Sequence, residues 1–231
     1  ATDLLKGNQE IGGFVKAGFN GNNDQATYVS ALAGRTDYLD WLMSAYFKDS
    51  NDPKLGNNTH LADSANRDKG ALLKTQWQID NDQALQLSYR RSEQEGEVPS
   101  NGTVNVNGSS VFLLERDTST QNASLSYDFN PDSNLLDSNV TAYWNQVEMQ
   151  EARISDGRGD STQLDVYGVS LKNISEFDRL VLLYGIDGYT EDFSAERSGG
   201  SRPTPPEAST DVWGAYVNAS LALSDVLKVE L

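Results

Sequence analysis

Apolar and polar residues alternate along most of this chain. Segments with a period of two are predicted as strands, because successive side chains of a strand point to opposite faces. Ten such segments fall near residues 9–20, 25–35, 39–48, 70–79, 84–93, 118–129, 139–154, 162–175, 179–193 and 209–223. The chain is therefore predicted to be all-β.

The links between these segments alternate in length. Residues 80–83, 176–178 and 224–225 form short links, whereas residues 49–68, 94–117 and 194–210 form long links rich in Gly, Asn, Ser and Pro. Transmembrane β-barrels have short turns at one end and long loops at the other. The pattern therefore favours an antiparallel up-and-down transmembrane β-barrel segment of about 10–11 strands.

The two faces of several segments differ in polarity. Within 122–129, one face carries Ala123, Leu125, Tyr127 and Phe129, and the other carries only Asn, Ser and Asp. Residues 71–79, 85–90, 180–189 and 213–221 separate in the same way, whereas 27–34 and 140–149 mix both classes on both faces. A soluble sheet with one buried face gives the same alternation, so periodicity alone leaves that alternative open.

Aromatic residues favour the membrane interpretation. Trp77, Tyr127, Phe129 and Trp213 lie near the ends of the predicted strands. Barrels carry aromatic girdles at both membrane interfaces. We therefore expect the apolar face to meet lipid.

Composition narrows the class of protein. The chain has 231 residues and a net charge of -16, and it contains no cysteine. A strongly acidic chain is a poor partner for nucleic acid, whose phosphates need a basic surface. With a mean hydropathy of -0.56 and no run of about 18 apolar residues, any membrane contact must come through strands.

We expect residues 1–231 to form one domain, a partial outer-membrane barrel. Residues 226–231 begin another alternating segment and end within it. An unpaired strand edge is not tolerated in lipid. The chain is therefore expected to be part of a larger barrel.

Candidate chemistry is sparse. His60, the only histidine, lies in a polar loop without a sequence-adjacent partner for a two-histidine metal site or a triad. A solvated histidine is expected there, although a lone imidazole can coordinate a haem iron. The usual nucleophile, phosphate and zinc motifs are not found, so no catalytic or metal residue is assigned and the chain is not predicted to be an enzyme.

Two further patterns have simple explanations. Three acid clusters are interpreted as solvated or cation-screened loops: Glu93, Glu95 and Glu97; Asp156 and Asp160; Glu191 and Asp192. The tripeptide Arg158-Gly159-Asp160 matches an integrin ligand but lies at a predicted hairpin turn, whose residue types already explain it.

Short motifs resemble one family of membrane receptors. These motifs are Leu55-Gly56-Asn57, Ser88-Tyr89-Arg90-Arg91, Glu97-Val98-Pro99-Ser100-Asn101, Arg116-Asp117, Leu183-Tyr184-Gly185-Ile186-Asp187, Arg202-Pro203 and Val212-Trp213-Gly214-Ala215-Tyr216. In order and spacing, over nearly the whole chain, they resemble the early barrel strands of TonB-dependent outer-membrane receptors, haem and haemoglobin uptake group.

This resemblance implies a location in the bacterial outer membrane and roughly the first half of a 22-stranded barrel. The implied function is import of haem or another iron complex, with outer-membrane lipid, a plug domain, the rest of the barrel, the TonB energy-coupling system and a haem carrier as partners. The plug, the coupling box, the closing strand and the family's haem-binding loop motifs are not found. No cofactor is therefore expected in this segment, and its cofactor-binding residues are unknown.

On this interpretation, residues 49–68, 94–117 and 194–210 would meet the ligand, and Arg90, Asp128 and Asp187 would offer hydrogen bonds to the plug. Three alternatives stay open. The first is a siderophore or other nutrient receptor of the same architecture, the second is a soluble or surface β adhesin that uses Arg158-Gly159-Asp160, and the third is a passive porin.

Overall fold

The computed structural model describes residues 4–57, 59–101, 111–200, 202–224 and 227–230, with only the backbone at residue 224. It contains eleven strands: β1 (Ile11–Asn20), β2 (Gln25–Arg35), β3 (Leu39–Ser50), β4 (Asn66–Gln78), β5 (Gln83–Pro99), β6 (Leu113–Phe129), β7 (Asp137–Arg153), β8 (Gly159–Phe177), β9 (Leu180–Ser198), β10 (Ala208–Ser224) and β11 (Leu227–Glu230). Among these residues, no helix is long and apolar enough to cross a membrane.

All eleven strands form one antiparallel sheet in sequence order, from β1 at one edge to β11 at the other. We call one end of the sheet the turn end, where residues 36–38, 79–82, 130–136 and 178–179 connect strands. The opposite, loop end carries residues 21–24, 51–65, 100–112, 154–158 and 199–207, of which 58, 102–110 and 201 lie outside the described residues. The predicted fold class is confirmed.

The strands are longer than the sequence pattern predicts. β4 begins at Asn66, β5 ends at Pro99, β6 begins at Leu113 and β9 ends at Ser198. The expected loops 49–68, 94–117 and 194–210 were therefore too long at both ends. The two mixed segments, 27–34 and 140–149, lie inside β2 and β7.

The strand register shows where an apolar belt ends. Residues that pair directly lie on the same face, and one row across β5–β8 consists of Tyr89, Ala123, Trp144 and Tyr167. The next row on that face, toward the loop end, consists of Arg91, Gln121, Gln146 and Asp165. We call this face the belt face and the other the polar face.

Toward the turn end, the belt continues through leucines and a second set of aromatic residues. Leu87 pairs with Leu125, and in the next row Trp77, Leu85 and Tyr127 are neighbours. On β10 the belt residue nearest the loop end is Trp213, which is 71% exposed. The aromatic residues at the two limits of the belt are arranged as the girdles of a membrane barrel are.

No second layer of the described chain covers the belt face. Leu125 is 45% exposed and Val217 is 68% exposed, and the described residues form a single sheet. Leaving so much apolar surface in water is unfavourable. A soluble sandwich, in which this face would pack on a protein core, is not what the chain forms.

Glycines and aromatic side chains face each other at five directly paired positions. On the belt face the pairs are Gly34 with Trp41 and Gly188 with Trp213; on the polar face they are Gly70 with Tyr46, Gly168 with Tyr143 and Gly185 with Tyr216. In each pair at least one atom of the aromatic side chain comes within 2.6 Å of the position that a Cβ of the glycine would take. Such pairs restore packing that a glycine removes from a strand.

One turn folds onto the belt face and is held by a buried polar cluster. Asn173, which is 7% exposed, donates hydrogen bonds to the Leu135 carbonyl at 3.0 Å and to the Tyr184 hydroxyl at 2.8 Å. Ser175 also donates to the Leu135 carbonyl, at 2.8 Å, and Ser138 donates to the Asn173 side chain at 2.5 Å. The cluster fixes turn 130–136 against β8 and β9.

Candidate ligand-binding end of the barrel wall

The polar face carries a ladder of hydrogen bonds between β6 and β7. Asn122 bonds to Asn145 at 2.7 Å, and the hydroxyls of Ser126 and Thr141 are 2.8 Å apart. Both pairs are cross-strand neighbours. Each satisfies polar groups that would otherwise have to bond to water in a barrel lumen.

Arg90, Asp128 and Asp187, the residues expected to meet a plug, all lie on this polar face. They are on β5, β6 and β9 and occupy different rows, so the sheet does not bring them together. Asp128 accepts a hydrogen bond of 2.7 Å from Asn139. Their role toward a plug stays a prediction.

Loop 51–65 is held closed by Asp52. One carboxylate oxygen of Asp52 accepts hydrogen bonds from the backbone N–H of Ser64 at 2.9 Å and of Ala65 at 2.8 Å. The Ser64 bond is the main cause that holds the pKa of the Asp52 carboxyl below its usual value. The loop also bonds to its neighbour, because Asn51 N–H donates to the Asn23 carbonyl at 2.9 Å.

His60 lies in this loop, exposed, as the sequence predicts. It pairs with Lys54 in an isolated antiparallel bridge. Its Nδ1 lies 3.0 Å from the carbonyl oxygen of Asp52. The loop thus fixes the orientation of the imidazole through the backbone, which the sequence did not indicate.

A row of charges crosses the polar face at the loop end. Arg116, Glu151, Asp160 and Arg197 are successive cross-strand neighbours on β6–β9. Arg116 Nε donates to Glu151 at 2.6 Å, and Arg197 Nε lies 3.6 Å from Asp160. The row has cations at its two ends and carboxylates at its centre, so its positive and negative charges largely cancel.

Loop 199–207 is tied down onto this row by two arginines. Arg202 donates two hydrogen bonds, at 2.7 and 3.0 Å, to the two oxygens of Asp160. Arg197 donates to the Pro203 carbonyl at 2.5 Å. A bidentate arginine–carboxylate pair fixes geometry as well as charge, so these contacts define the course of the loop.

The turn that contains Arg158-Gly159-Asp160 is also held internally. Arg158 Nε donates to Asp156 at 2.8 Å, which holds the pKa of the Asp156 carboxyl below its usual value. Arg153 lies with its guanidinium carbon 3.4 Å from the centre of the Phe112 ring. Since Asp160 binds Arg202, both charged ends of the tripeptide are engaged within the chain.

The acid clusters separate into screened and solvated groups. Glu93 and Glu95 lie 2.9 and 3.2 Å from the Lys69 ammonium, and Glu97 lies opposite Glu115 with both side chains exposed. Glu191 and Asp192 point to opposite faces of β9. In the described ranges no three His, Asp or Glu side chains are grouped in a way that could hold a metal ion.

Sequence reasoning missed three features of this end: Asp52 as the anchor of its loop, the stacking of Arg153 on Phe112, and the pairing of Arg202 with Asp160. The partners of the last two contacts are 41 and 42 positions apart. Pairs of this kind follow from the strand register and leave no local signal.

Comparison with known proteins identifies the architecture. No protein-family model matches the chain. It is 32% identical over 151 residues to "TonB-dependent heme receptor A" of Haemophilus influenzae, which covers 58% of the chain and 20% of that protein. It is 23% identical over 268 residues to "Heme/hemopexin utilization protein C" of the same species, covering 96% of the chain and 38% of the relative. The chain resembles TonB-dependent outer-membrane receptors.

Solved structures agree on the fold. The FrpB iron transporter of Neisseria meningitidis superposes with a TM-score of 0.81 at 20% identity, covering 97% of this chain and 41% of FrpB. The Serratia marcescens hemophore receptor HasR, in complex with its hemophore HasA and heme, gives 0.81 at 22% identity, covering 95% and 32%. The predicted outer-membrane location is confirmed by the likeness to the TonB-dependent heme receptor. The chain spans less than half the length of these relatives.

Proposed function

We propose that this chain is a wall segment of a TonB-dependent receptor that imports haem or another iron complex. Residues 1–231 would form one barrel domain and supply roughly half of a 22-stranded wall. The observation that carries the proposal is a single open sheet with a girdled apolar belt on one face and polar loops at one end. The curated relatives named above support haem as the cargo.

The polar face and the loop end would have different roles in such a receptor. Arg90, Asp128 and Asp187 would contact the plug, and loops 51–65, 100–112 and 199–207 would meet the ligand or a carrier protein. TonB would act through the plug rather than on this segment. We propose no catalytic role and no resident cofactor for the chain, because haem would be cargo.

Import of iron without haem is the second candidate. It is supported by the similarity in fold to the FrpB iron transporter. A surface adhesin that uses Arg158-Gly159-Asp160 is disfavoured, because Asp156 and Arg202 already bind the two charged side chains of that turn.

The test uses the receptor that carries this chain at its natural length, expressed in an iron-starved Gram-negative host that lacks its own haem receptors. Growth on haemin that is lost when TonB is inactivated is the expected result. Growth on a ferric siderophore alone would favour the second candidate. Uptake that persists without TonB would contradict both and favour a porin.

A further inference from the structure

A groove interrupts the apolar belt beside turn 130–136. It crosses β7–β10 on the belt face and encloses about 540 Å³, a volume within the range of cavities that hold small ligands. Leu171, Ile186 and Ala215 are successive neighbours in one row of the sheet, and all three line the groove. Ala215 is the small residue of this row, so it leaves space between the larger side chains of Trp213 and Val217 on the same strand.

The two ends of the groove are formed by different elements. Leu136, from the turn, lies at the β7 end, and Val217 lies at the β10 end. Neighbouring strands are about 4.8 Å apart, so the groove extends for about 14 Å across the four strands. The turn is fastened to the sheet, because the Leu135 carbonyl accepts hydrogen bonds from Asn173 and Ser175. The groove therefore has a fixed wall.

The polar residues of the lining are already bonded to one another. Ser138 donates to the Asn173 side chain at 2.5 Å, and Asn173 donates to the Tyr184 hydroxyl at 2.8 Å. The same hydroxyl lies 3.3 Å from Ser175 Oγ. The groove therefore presents mainly apolar surface, and an occupant that needs hydrogen bonds would have to break this cluster.

A hydrocarbon chain fits the groove in chemistry and in size. The groove is continuous with the belt, which faces lipid in a membrane barrel. The hydrocarbon core of a bilayer is about 30 Å thick, so one leaflet contributes about 15 Å, close to the length of the groove. Inside a bilayer the gain comes from dispersion contacts with fixed walls, because the surrounding lipid is as apolar as the groove.

The position of the wall indicates which leaflet supplies the chain. Turn 130–136 belongs to the turn end of the sheet, and short turns of outer-membrane barrels face the periplasm. We propose that the groove binds one acyl chain of a phospholipid from the periplasmic leaflet, with Leu136 packing against the chain and Ala215 leaving room for it. This inference goes beyond the proposed function and does not depend on the cargo.

The test places the natural-length receptor in vesicles of palmitoyl-oleoyl-phosphatidylethanolamine and phosphatidylglycerol. A trace of phosphatidylethanolamine carries a photoreactive diazirine near the end of one acyl chain, and peptide mass spectrometry locates the label after irradiation. Leu171 and Leu125 are matched belt leucines, 41% and 45% exposed, and only Leu171 lines the groove. We expect at least about threefold more label at Leu171, because a chain held in the groove stays in contact with it.

Two variants test the groove directly. Ala215→Trp fills it and should lower the label at Leu171 and Ile186 at least about threefold, because the ring excludes the chain. Ala142→Trp makes the same change on the belt face outside the groove and should leave the label at these residues unchanged. Leu136→Ala removes the wall without filling the space and should also lower the label. Electrophoretic mobility of unheated samples shows whether each variant is folded.

The outcomes separate this inference from the proposed function. Equal label at Leu171 and Leu125, or label at Leu171 that Ala215→Trp does not reduce, would overturn the inference and leave import untouched. Weak label at Leu171 in a receptor that migrates as a dimer would assign the groove to a second copy of the chain and also overturn it. Failure of growth on haemin with strong, variant-sensitive label at Leu171 would overturn haem import and support the lipid groove.

Discussion

At the scale of single residues, Asp52 anchors loop 51–65. Its carboxylate accepts three hydrogen bonds from Ser64 and Ala65, two of them from backbone N–H groups. Hydrogen bonds to an ionised acceptor are roughly twice as strong as neutral ones. The charge on Asp52, more than its shape, therefore keeps loop 51–65 closed.

We expect Asp52→Asn to open this loop while the barrel stays folded. Amide hydrogen exchange over residues 51–65 should become about three- to tenfold faster at neutral pH, because the amide keeps the geometry and loses the charge. Asp63→Asn removes a charge from the same loop and should leave exchange unchanged. Equal acceleration in both variants would show that net charge, and not the Asp52 hydrogen bonds, controls the loop.

The pH dependence of the loop follows from the same bonds. The pKa of Asp52 is lower in the folded loop than in the unfolded chain, so its stabilisation is fully present above about pH 4 and is lost as pH falls through the folded pKa. After correction for intrinsic rates, loop exchange in the wild type should be constant between pH 5 and 8 and rise below pH 4. Asp52→Asn should show no such rise. A transition in the wild type near pH 6 would point to a different titrating group.

The glycine–aromatic pairs make a second prediction for single residues. A Cβ at Gly188 would overlap the central atoms of the Trp213 indole, so Gly188→Ala should force this girdle residue off the sheet. We expect a loss of about 1–3 kcal/mol, typical of overpacking, measured by urea unfolding of the receptor in detergent. The control is Gly214→Ala on the adjacent strand, where the nearest atom is 3.6 Å away in Asp187. Equal losses in the two variants would mean that strand propensity, and not the ring contact, sets the cost.

At the scale of elements, turn 130–136 is held by the polar cluster around Asn173. Asn173 is buried and bonds to the Leu135 carbonyl, Ser175 and Tyr184. Asn173→Ala removes one of the two side-chain donors to the Leu135 carbonyl and the acceptor of Ser138. The substitution should cost about 1–3 kcal/mol in the unfolding free energy, with faster amide exchange at Leu136. Asn218→Ala, at an exposed position of β10, should change the unfolding free energy by less than about 0.5 kcal/mol. Exchange at Leu136 that is unaffected by Asn173→Ala would contradict the proposed anchoring.

The strand ends show where sequence patterns lose their information. Beyond the belt, residues such as Glu93, Gln94 and Glu95 are polar on both faces, so the alternation disappears although backbone pairing continues to Pro99. The pattern at 122–129 is clear because one face carries only apolar residues and the other only Asn, Ser and Asp. In β2 and β7 both faces mix apolar with polar residues, so periodicity could not assign their sides. The alternation of link lengths was predicted correctly despite the errors in the strand bounds, because it depends on the order of the strands and not on where each one ends.

The candidate site was predictable only in outline. The sequence placed His60 in a polar loop as an exposed residue, and that placement is correct. The bond to the Asp52 carbonyl and the pairing of Arg202 with Asp160 depend on which backbone segments meet, and residue types alone do not specify this. Plug contacts by Arg90, Asp128 and Asp187 remain predictions that require the rest of the barrel.

At the scale of the whole molecule, the claim that lipid covers the belt face can be tested at two adjacent residues. Leu125 points into the belt between Leu87 and Ala142, whereas Ser124 points to the polar face between Ser88 and Tyr143. An arginine near the middle of the bilayer costs a transmembrane barrel about 2–4 kcal/mol, while substitutions on the lumen side are tolerated. If lipid covers the belt face, the two positions meet different surroundings although they share a strand.

We expect Leu125→Arg to lower the unfolding free energy of the receptor in phosphatidylcholine vesicles by about 2–4 kcal/mol, and Ser124→Arg to lower it by less than about 1 kcal/mol. Electrophoretic mobility of unheated samples across a urea series measures both variants. In thicker bilayers Leu125→Arg should become more harmful, because water is farther from the side chain, and Ser124→Arg should not respond. Equal losses at both positions, independent of bilayer thickness, would mean that protein and not hydrocarbon covers Leu125, and the receptor architecture would then be wrong.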